Sequence, residues 1–535
     1  VGASRPPDAP PLAEVTVAAL AALGSGEAGW LVGGCLRDEL QGLPVKEVDI
    51  VLDGAAAAFS RGLADRLGGA AYASSDAFGT WRVVVGELHV DVAPLRAAAA
   101  GPASGPPDPA TRGARLEADL RARDFTVDAL ARPLGGGALT DPLGGRDDLA
   151  GRRLRLCSPT ALDDDPLRVV RLARLARGLD LMPDAAAIAA AARAAPSLAG
   201  VSGERLCAEL SAVLTLPAAA AAFRDLAAWG ALAVILPELD GLRGVGQNPY
   251  HHLDVFEHTL EALTYLPGAV EQLGGSLHLA PPAQAGLPGV GPLVPVSWAA
   301  LLHDIGKPAA RVVTPEGHVI FWRHDEIGRR MSAELASRLR MSGRFSAYLG
   351  TLIRQHLRLG FLVREQPLTR RALARYRRDV SPWVFESVVV SLCDRLATRG
   401  EKTSPASLAR HYRLARSVWS GVSKAPVPRL LSGDDVMALL GLRPGPAVGQ
   451  ALDALDEEVE AGEVVSMEGA RAFLEEWWGA RSEGGPDLVA AAVPEARPPD
   501  APAISVGTGP DGADAGPDAA SALEPGPDPS AAGGA

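Results

Sequence analysis

The sequence predicts an α+β protein, with a small α/β head near the start of the chain followed by a longer, mostly helical remainder. Two patterns carry this. Strand-like alternation of apolar and polar residues is confined to residues 29–95, and beyond Pro166 apolar residues recur at helical spacing almost throughout. At 535 residues the chain is also too long for a single core, so several domains are expected.

Taken in order, residues 1–24 read as a leader, its first ten residues Pro-rich. The head, 25–150, opens with an apolar strand ending at Val32, a short helix from Leu36 and a strand from Val48 to Leu52. A hairpin follows, in which Trp81 to Val85 and Leu88 to Ala93 flank Gly86-Glu87. A helical neck (151–230), a second helical domain (231–400) and a helical tail (401–480) come next. Breaks fall near Asp180, from Gly241 to Pro249, and in the Gly- and Pro-rich stretch Gly274 to Pro292. The chain after Trp478 is Gly, Pro, Ala and Asp with few large apolar residues, so 481–535 is expected to form a disordered acidic tail.

Composition narrows the function classes. No stretch reaches the roughly 18 uninterrupted apolar residues of a membrane helix, and the N-terminus lacks a signal-peptide layout, so a cytoplasmic protein without a membrane partner is expected. The four cysteines (Cys35, Cys157, Cys207, Cys393) form no CxxC pair, which argues for buried free thiols rather than disulfides or a structural zinc site. Of the net charge of −12, the stretch from Arg481 onward contributes nine acidic against two basic residues, leaving about −5 elsewhere. Any basic surface must therefore be local.

The segment Val32-Gly33-Gly34-Cys35-Leu36-Arg37-Asp38 passes from strand through two glycines into helix, and Glu47-Val48-Asp49 follows on the next strand. Strand side chains alternate, so Glu47 and Asp49 share a face opposite Val48, Ile50 and Leu52. Two carboxylates on one face suit Mg²⁺ ions that activate a hydroxyl and neutralise a triphosphate. Gly33 and Gly34 let backbone approach phosphates, with the helix start and Arg37 adding positive potential. Asp91 alternates away from Val90 and Val92 and reads either as a third carboxylate on these metals or as a solvated strand residue.

Glycine pair, Arg37-Asp38 and spaced carboxylates in this order resemble the nucleotidyltransferase superfamily, in the version of the bacterial class II CCA-adding enzymes and poly(A) polymerases. The resemblance runs on through Arg121-Ala122-Arg123-Asp124, Asp128, Asp141 to Leu149, Asp164-Asp165-Pro166-Leu167-Arg168 with Arg171, and Ser202-Gly203-Glu204-Arg205. It departs at Glu47 for the usual Asp, Asp128 for Asn and Asp164 for Glu. The resemblance implies a metal-dependent enzyme adding C, C and A to tRNA 3′ ends from CTP and ATP without a nucleic-acid template. Catalysis then falls to Glu47, Asp49 and Asp91. Nucleotide binding falls to Gly33, Gly34, Arg37, Asp38, Arg121, Arg123, Asp124, Asp164, Asp165, Arg168 and Arg171. CC-adding, A-adding and poly(A) polymerase siblings share nearly all these motifs; the long stretch from Arg96 to Arg121 favours full CCA addition.

Asp165 and Arg168, three apart at the start of a predicted helix, are expected on one face with Arg171. An aspartate accepting from an exocyclic amino group beside a donating arginine imitates a Watson-Crick partner and favours C and A. The alternative is a capping Asp164-Asp165 pair and solvated arginines.

Further on, His258, the pair His303-Asp304, His324, His356 and Asp394 lie in helical, apolar-flanked contexts. Their order resembles the HD metal-dependent phosphohydrolase superfamily. That implies one metal on His258, His303, Asp304 and Asp394 and a second completed by His324 and His356, the ion being Mg²⁺ or a divalent transition metal, with His251 and His252 outside the shell. Hydrolysis of RNA or nucleotide phosphate esters follows, and an HD phosphohydrolase with a nucleotide-sensing head is the competing reading. Arginines from Arg152 to Arg177, and Arg364, Arg370, Arg371, Arg375, Arg377 and Arg378, are expected to follow an RNA backbone. With aromatics at only 5%, recognition by RNA shape is favoured over a stacking platform. Leu431 to Asp435 and Gly441 to Gly449, ahead of an amphipathic helix, resemble the helical tail of the same family or form a packed structural hairpin, without chemistry in either case.

Overall fold

The computed structural model describes residues 11–45, 47–75, 79–95, 109–363, 369–422 and 429–482. Arg364, the first half of the stretch from Arg96 to Arg121, and residues 483–535 therefore lie outside it. The described part is α+β, as the alternation and helical spacing predict.

The head is built on a six-stranded sheet, β1 (Ala28–Val32), β2 (Glu47–Asp53), β3 (Ala70–Ser75), β4 (Thr80–Val85), β5 (Leu88–Pro94) and β6 (Ala131–Pro133), in the order β3-β4-β5-β2-β1-β6. Only β2 and β5 pair in parallel. The connection between β2 and β3 carries α3 (Ala56–Leu67), while α1 (Leu12–Ala22) and α2 (Gly34–Leu40) flank β1. Val48, Ile50 and Leu52 of β2 pack with Val90 and Val92 of β5 and with Phe59 and Leu63 of α3, an apolar layer fixed by strand alternation. Val15 and Ala19 of α1 join that layer, so the stretch read as a leader contains a helix of the head. On the other face α4 (Pro109–Arg121) lays Leu116 and Leu120 against Val51. Its Arg112 and Arg115 both reach Asp53, at 2.7 and 2.8 Å, which anchors the helix at the far end of β2 from Glu47.

From Phe125 to Val418 one continuous apolar core holds the helical remainder together. It includes α5 (Gly145–Ala150), α6 (Ala161–Asp164), α7 (Arg168–Gly178), α8 (Ala185–Ala194), α9 (Gly203–Leu214) and α10 (Ala219–Ala228). The Val255–Gln272, Val294–Leu302, His324–Arg338, Gly343–Gln355, Val384–Ala397 and Pro405–Val422 helices continue it. A short two-stranded hairpin, Arg311–Val313 with Val319–Phe321, interrupts this helical run. The last helices have their own small core around Val436, Leu455 and Leu474. Ser432 and Asp435 form the reciprocal cap at its start, and the final helix, Met467–Ser482, extends past the Trp478 at which disorder was expected to begin. All four cysteines are free.

Candidate active sites in the head and the helical domain

In the parallel β2/β5 ladder Asp49 stands opposite Asp91, and Glu47 lies two residues away on the same face. Arg82, opposite Asp91 on β4, donates Nε and Nη2 to its two carboxylate oxygens, both at 2.7 Å, and so orients it. Nothing among the described residues donates to the Asp49 carboxylate. Burial pushes that carboxyl up to about 6, helped by the like charges of Asp91, Glu47 and Asp128 and opposed by Arg123. Three crowded oxygen donors with one partner between them fit a hard divalent cation.

Gly33 shows why a glycine belongs here. Its φ is 75°, and a Cβ would lie 2.6 Å from Arg123 Nη1 and 3.4 Å from Asp49 Oδ2, so only a bare backbone lets that guanidinium reach the carboxylate strand. Gly34 then begins α2. Arg37 is not an open positive patch. Its guanidinium bonds Asp128 at 2.6 Å and Asp38 at 2.8 Å and is largely buried, which makes it a brace between α2 and the segment after Arg123.

At the neck the structure departs from the expected helix. Asp165 is extended (φ −146°, ψ 98°) between α6 and α7, because the following Pro166 disfavours helical backbone at that position. Asp165 and Arg168 therefore do not share a helical face. Asp165 accepts from Arg205 Nη2 at 2.7 Å, whereas Arg168 donates to the carbonyls of Ala161 at 3.0 Å and Ala122 at 3.1 Å. Arg171 does lie nearby, bonding the buried Asp124 at 2.8 Å and Glu209 at 3.3 Å. Asp164 ends α6 within 3.3 Å of Thr160 Oγ1, and Arg121 is half-exposed at the end of α4. Sequence reasoning did not single out Glu209 or the pairing role of Arg205; both sit on the helix after Ser202-Gly203.

The described arginines of the first expected RNA-facing cluster are paired, and so are those of the second apart from Arg370, with Arg364 outside the described residues. Arg153 and Arg155 pair with Asp148, Arg174 with Glu209, and Arg177 with Asp225. On the Arg370–Val380 helix, Arg371 pairs with Glu458, and Arg375 and Arg378 pair with Glu457, all from the Pro446–Ala461 helix. Arg377 donates to the Val418 carbonyl. These arginines clasp the tail helices.

In the helical domain all six expected residues converge. His258 Nε2 lies 3.0 Å from Asp394 Oδ1, His303 Nε2 3.1 Å from Asp304 Oδ2, and His324 Nε2 3.3 Å from Asp304 Oδ1. His356 Nε2 is 3.7 Å from the same Asp304 oxygen, so Asp304 bridges the two halves of the cluster. The opposite nitrogens are engaged with backbone: Nδ1 of His303 faces the Ala300 carbonyl at 2.8 Å, His324 that of Phe321 at 2.9 Å, His356 that of Ile353 at 2.7 Å and His258 that of Ala397 at 3.3 Å. A carbonyl accepts only from N–H, which leaves the Nε2 lone pairs aimed inward at two carboxylates. Burial, with His303 and His324 adding to it, pushes His356 down to about 3, so its ring is neutral. Burial opposes a charge on His303, but the Asp304 carboxylate outweighs it and raises the His303 pKa, and Lys307 lies 2.6 Å from the same Asp304; a divalent metal taking the place of the protons between these rings and carboxylates fits the cluster.

His251, expected outside the shell, lies close. Ligand atoms of His251, His258 and Asp394 all fall within 4.8 Å of one another. Asn248 holds its Nδ1 at 3.0 Å. His252 is exposed and pairs with Glu261. A cavity of about 1270 Å³ opens over the cluster.

A six-stranded head with three carboxylates at a parallel strand pair, joined to a helical body with a histidine-aspartate cluster, defines a nucleotidyltransferase carrying an HD domain. Family models agree: residues 29–155 match the Poly A polymerase head domain, 183–242 the probable RNA and SrmB-binding site of polymerase A, and 255–399 the HD domain. The A-adding tRNA nucleotidyltransferase of Deinococcus radiodurans is 37% identical over 455 residues, covering 84% of this chain and 95% of that one. The CC-adding tRNA nucleotidyltransferase of Thermus thermophilus is 36% identical, covering 85% and 96%. Among solved structures, a CCA-adding enzyme in complex with ATP superposes with a TM-score of 0.57 at 18% identity, covering 87% and 94%, a likeness of fold. The chain belongs to the tRNA nucleotidyltransferase family. No described helix is long and apolar enough to cross a membrane.

Proposed function

We propose that this chain adds C, C and A to the 3′ end of tRNA from CTP and ATP in the cytoplasm, choosing nucleotides with protein side chains. The observation that carries the reading is the Asp49–Asp91 register in the β2/β5 ladder with Glu47 beside it. Glu47, Asp49 and Asp91 would hold Mg²⁺, which when bound neutralises the triphosphate and activates the attacking hydroxyl. Arg82 keeps Asp91 aimed, and Arg123 at Gly33 faces the phosphates across a backbone with no side chain in the way. Asp165 accepts from the amino group of C or A once its bond to Arg205 yields, and Arg168 donates to the ring edge. The buried Asp124–Arg171–Glu209 chain keeps this neck segment in place.

A second reading, addition of CC alone or of the final A alone, is favoured by the names of the two relatives above. Extending three tRNA transcripts, ending before CCA, after C and after CC, separates the readings. Stepwise C, C, A and arrest supports the first; a stop after CC, or A addition only to the last transcript, supports the second; no extension of any removes both.

For the HD cluster we infer a metal-dependent phosphohydrolase acting on RNA or nucleotide phosphate esters. His258, His303, Asp304 and Asp394 would hold one divalent transition metal or Mg²⁺, and Asp304, His324 and His356 a second. Zero phosphate release across several divalent metals would remove that activity.

A further inference from the structure

The wall of the cavity over the HD cluster carries cationic side chains that no carboxylate among the described residues holds. Neck arginines, and Arg371, Arg375, Arg377 and Arg378 of the Arg370–Val380 helix, are tied to carboxylates or carbonyls, whereas Arg410 and Arg413 of the Pro405–Val422 helix reach the cavity without such a partner among the described residues. Both line the cavity and are exposed, and among the described residues neither has a carboxylate within ion-pair distance. Spaced i, i+3, they lie on one side of their helix, and the exposed Lys402 joins them in the wall. Among the described residues the carboxylates in that wall are Asp304 and Asp394, both of the histidine-aspartate cluster.

Uncompensated guanidiniums beside a cavity are a phosphate-attracting arrangement, and here they sit apart from the residues that would hold the reacting phosphate. The cavity, about 1270 Å³, exceeds the roughly 300–1,000 Å³ that a small ligand fills. Of the three large aromatic side chains that line it, Phe321 is partly buried, while Tyr250 at 44% and Phe361 at 57% are exposed, in a protein whose other described large aromatics are mostly buried. A ring with an open face at a basic cavity is what a base needs for stacking.

We propose that the HD cavity takes the end of a single-stranded oligoribonucleotide rather than a mononucleotide: Arg410, Arg413 and Lys402 bind phosphodiesters preceding the terminal phosphate, and Tyr250 and Phe361 stack its bases. This rests on the phosphohydrolase reading of the same cavity and supplies its substrate class and the residues that select it.

The test has two arms on the full chain. In the first, a 5′-fluorescein pentauridylate with a 3′-phosphate is titrated by anisotropy over a salt series without added metal. The Arg410→Ala/Arg413→Ala variant should bind about tenfold more weakly and lower the salt slope by about 1.4, the loss of two single-strand phosphate contacts. Arg416→Ala, exposed on the same helix but outside the cavity wall, should retain both affinity and slope. In the second arm, phosphate release from the pentamer and from uridine 3′-phosphate is compared with Mn²⁺ or Ni²⁺ supplied. The double variant should lose about tenfold of its preference for the pentamer, through KM. Wild-type affinity and slope in the double variant, or an equal loss in Arg416→Ala, overturns the proposal. If the wild type releases phosphate from neither substrate, the phosphohydrolase reading fails and the anisotropy arm alone decides this one.

Discussion

His324 and His356 hold their Nε2 atoms 3.4 Å apart while each Nδ1 faces a backbone carbonyl. Two imidazole lone pairs at that distance repel unless a cation lies against both, and Asp304 Oδ1 completes the triangle at 3.3 and 3.7 Å. Calorimetric titration of the apo protein with Mn²⁺ or Ni²⁺, in a chain whose head carboxylates are removed by Asp49→Asn and Asp91→Asn, should therefore give two equivalents. His356→Ala should give one, because His258, His303 and Asp394 are left intact. Two equivalents in the variant would show that the second ion sits elsewhere, for instance at His251.

Asp49 leads to a pH prediction. Its carboxyl is raised from about 3.8 to about 6 chiefly by burial, so without metal the folded state holds a proton that the unfolded state has released. Stability then falls as pH rises between these two values, and the contribution is fully lost above about 6. Urea midpoints from pH 4 to 7 should show this slope in the metal-free wild type and a flatter one in Asp49→Asn. Because Asp49 must be ionised to hold a cation, Mg²⁺ affinity at the head should rise through the same window, and with it nucleotide incorporation at subsaturating Mg²⁺. Incorporation should fall by about a thousandfold or more in the variant, on the several kcal/mol of charge stabilisation a metal supplies. A variant that incorporates at the wild-type rate would falsify the head site.

What the sequence made legible follows from how local each signal is. The β2 carboxylates and the histidines and aspartates proposed as HD ligands are marked by residue type and spacing along strands and helices, and the structure places each set close together. Asp165 was misread because helical spacing was counted across Pro166, whose ring constrains the residue before it. The arginines of the Arg370–Val380 helix were misread for another reason. Their partners Glu457 and Glu458 lie about eighty residues on, and a charge run does not announce a distant counter-charge. His251 was placed outside the cluster for want of a spacing rule, although its proximity comes from the turn at Asn248 just before the His258 helix.

The arginine clasp can be tested against the RNA role first expected of it. Glu457→Lys sets a positive charge against Arg375 and Arg378, and should loosen the tail helices by roughly 1 kcal/mol, the scale of two partly exposed pairs. Faster limited proteolysis of the tail would register this. Arg375→Ala with Arg378→Ala should leave tRNA affinity within about threefold and its salt slope unaltered. A slope lower by about 1.8 would instead place both side chains on phosphates.

Base choice should depend on Asp165 more than catalysis does. In the structure its carboxylate is held by Arg205 at 2.7 Å, while Arg168 is hooked to the carbonyl of Ala122, between Arg121 and Arg123. The acceptor is thus fixed relative to α9 and the donor relative to both α6 and the carbonyl of Ala122, and the proposed base-reading edge would form only as these segments come together around a nucleotide. Removing the acceptor leaves a pocket that no longer penalises a base with a carbonyl where C has its amino group. Asp165→Ala should therefore lower the preference for CTP over UTP by about one to two orders of magnitude, since a site built around a hydrogen bond discriminates far more strongly than one built on shape. CTP incorporation itself should slow by less than that factor, because Glu47, Asp49 and Asp91 are untouched. Single-nucleotide extension of a tRNA lacking CCA, with CTP and UTP measured separately, reads both quantities. An equal fall for both nucleotides would mean that Asp165 positions the neck and leaves base selection to other side chains.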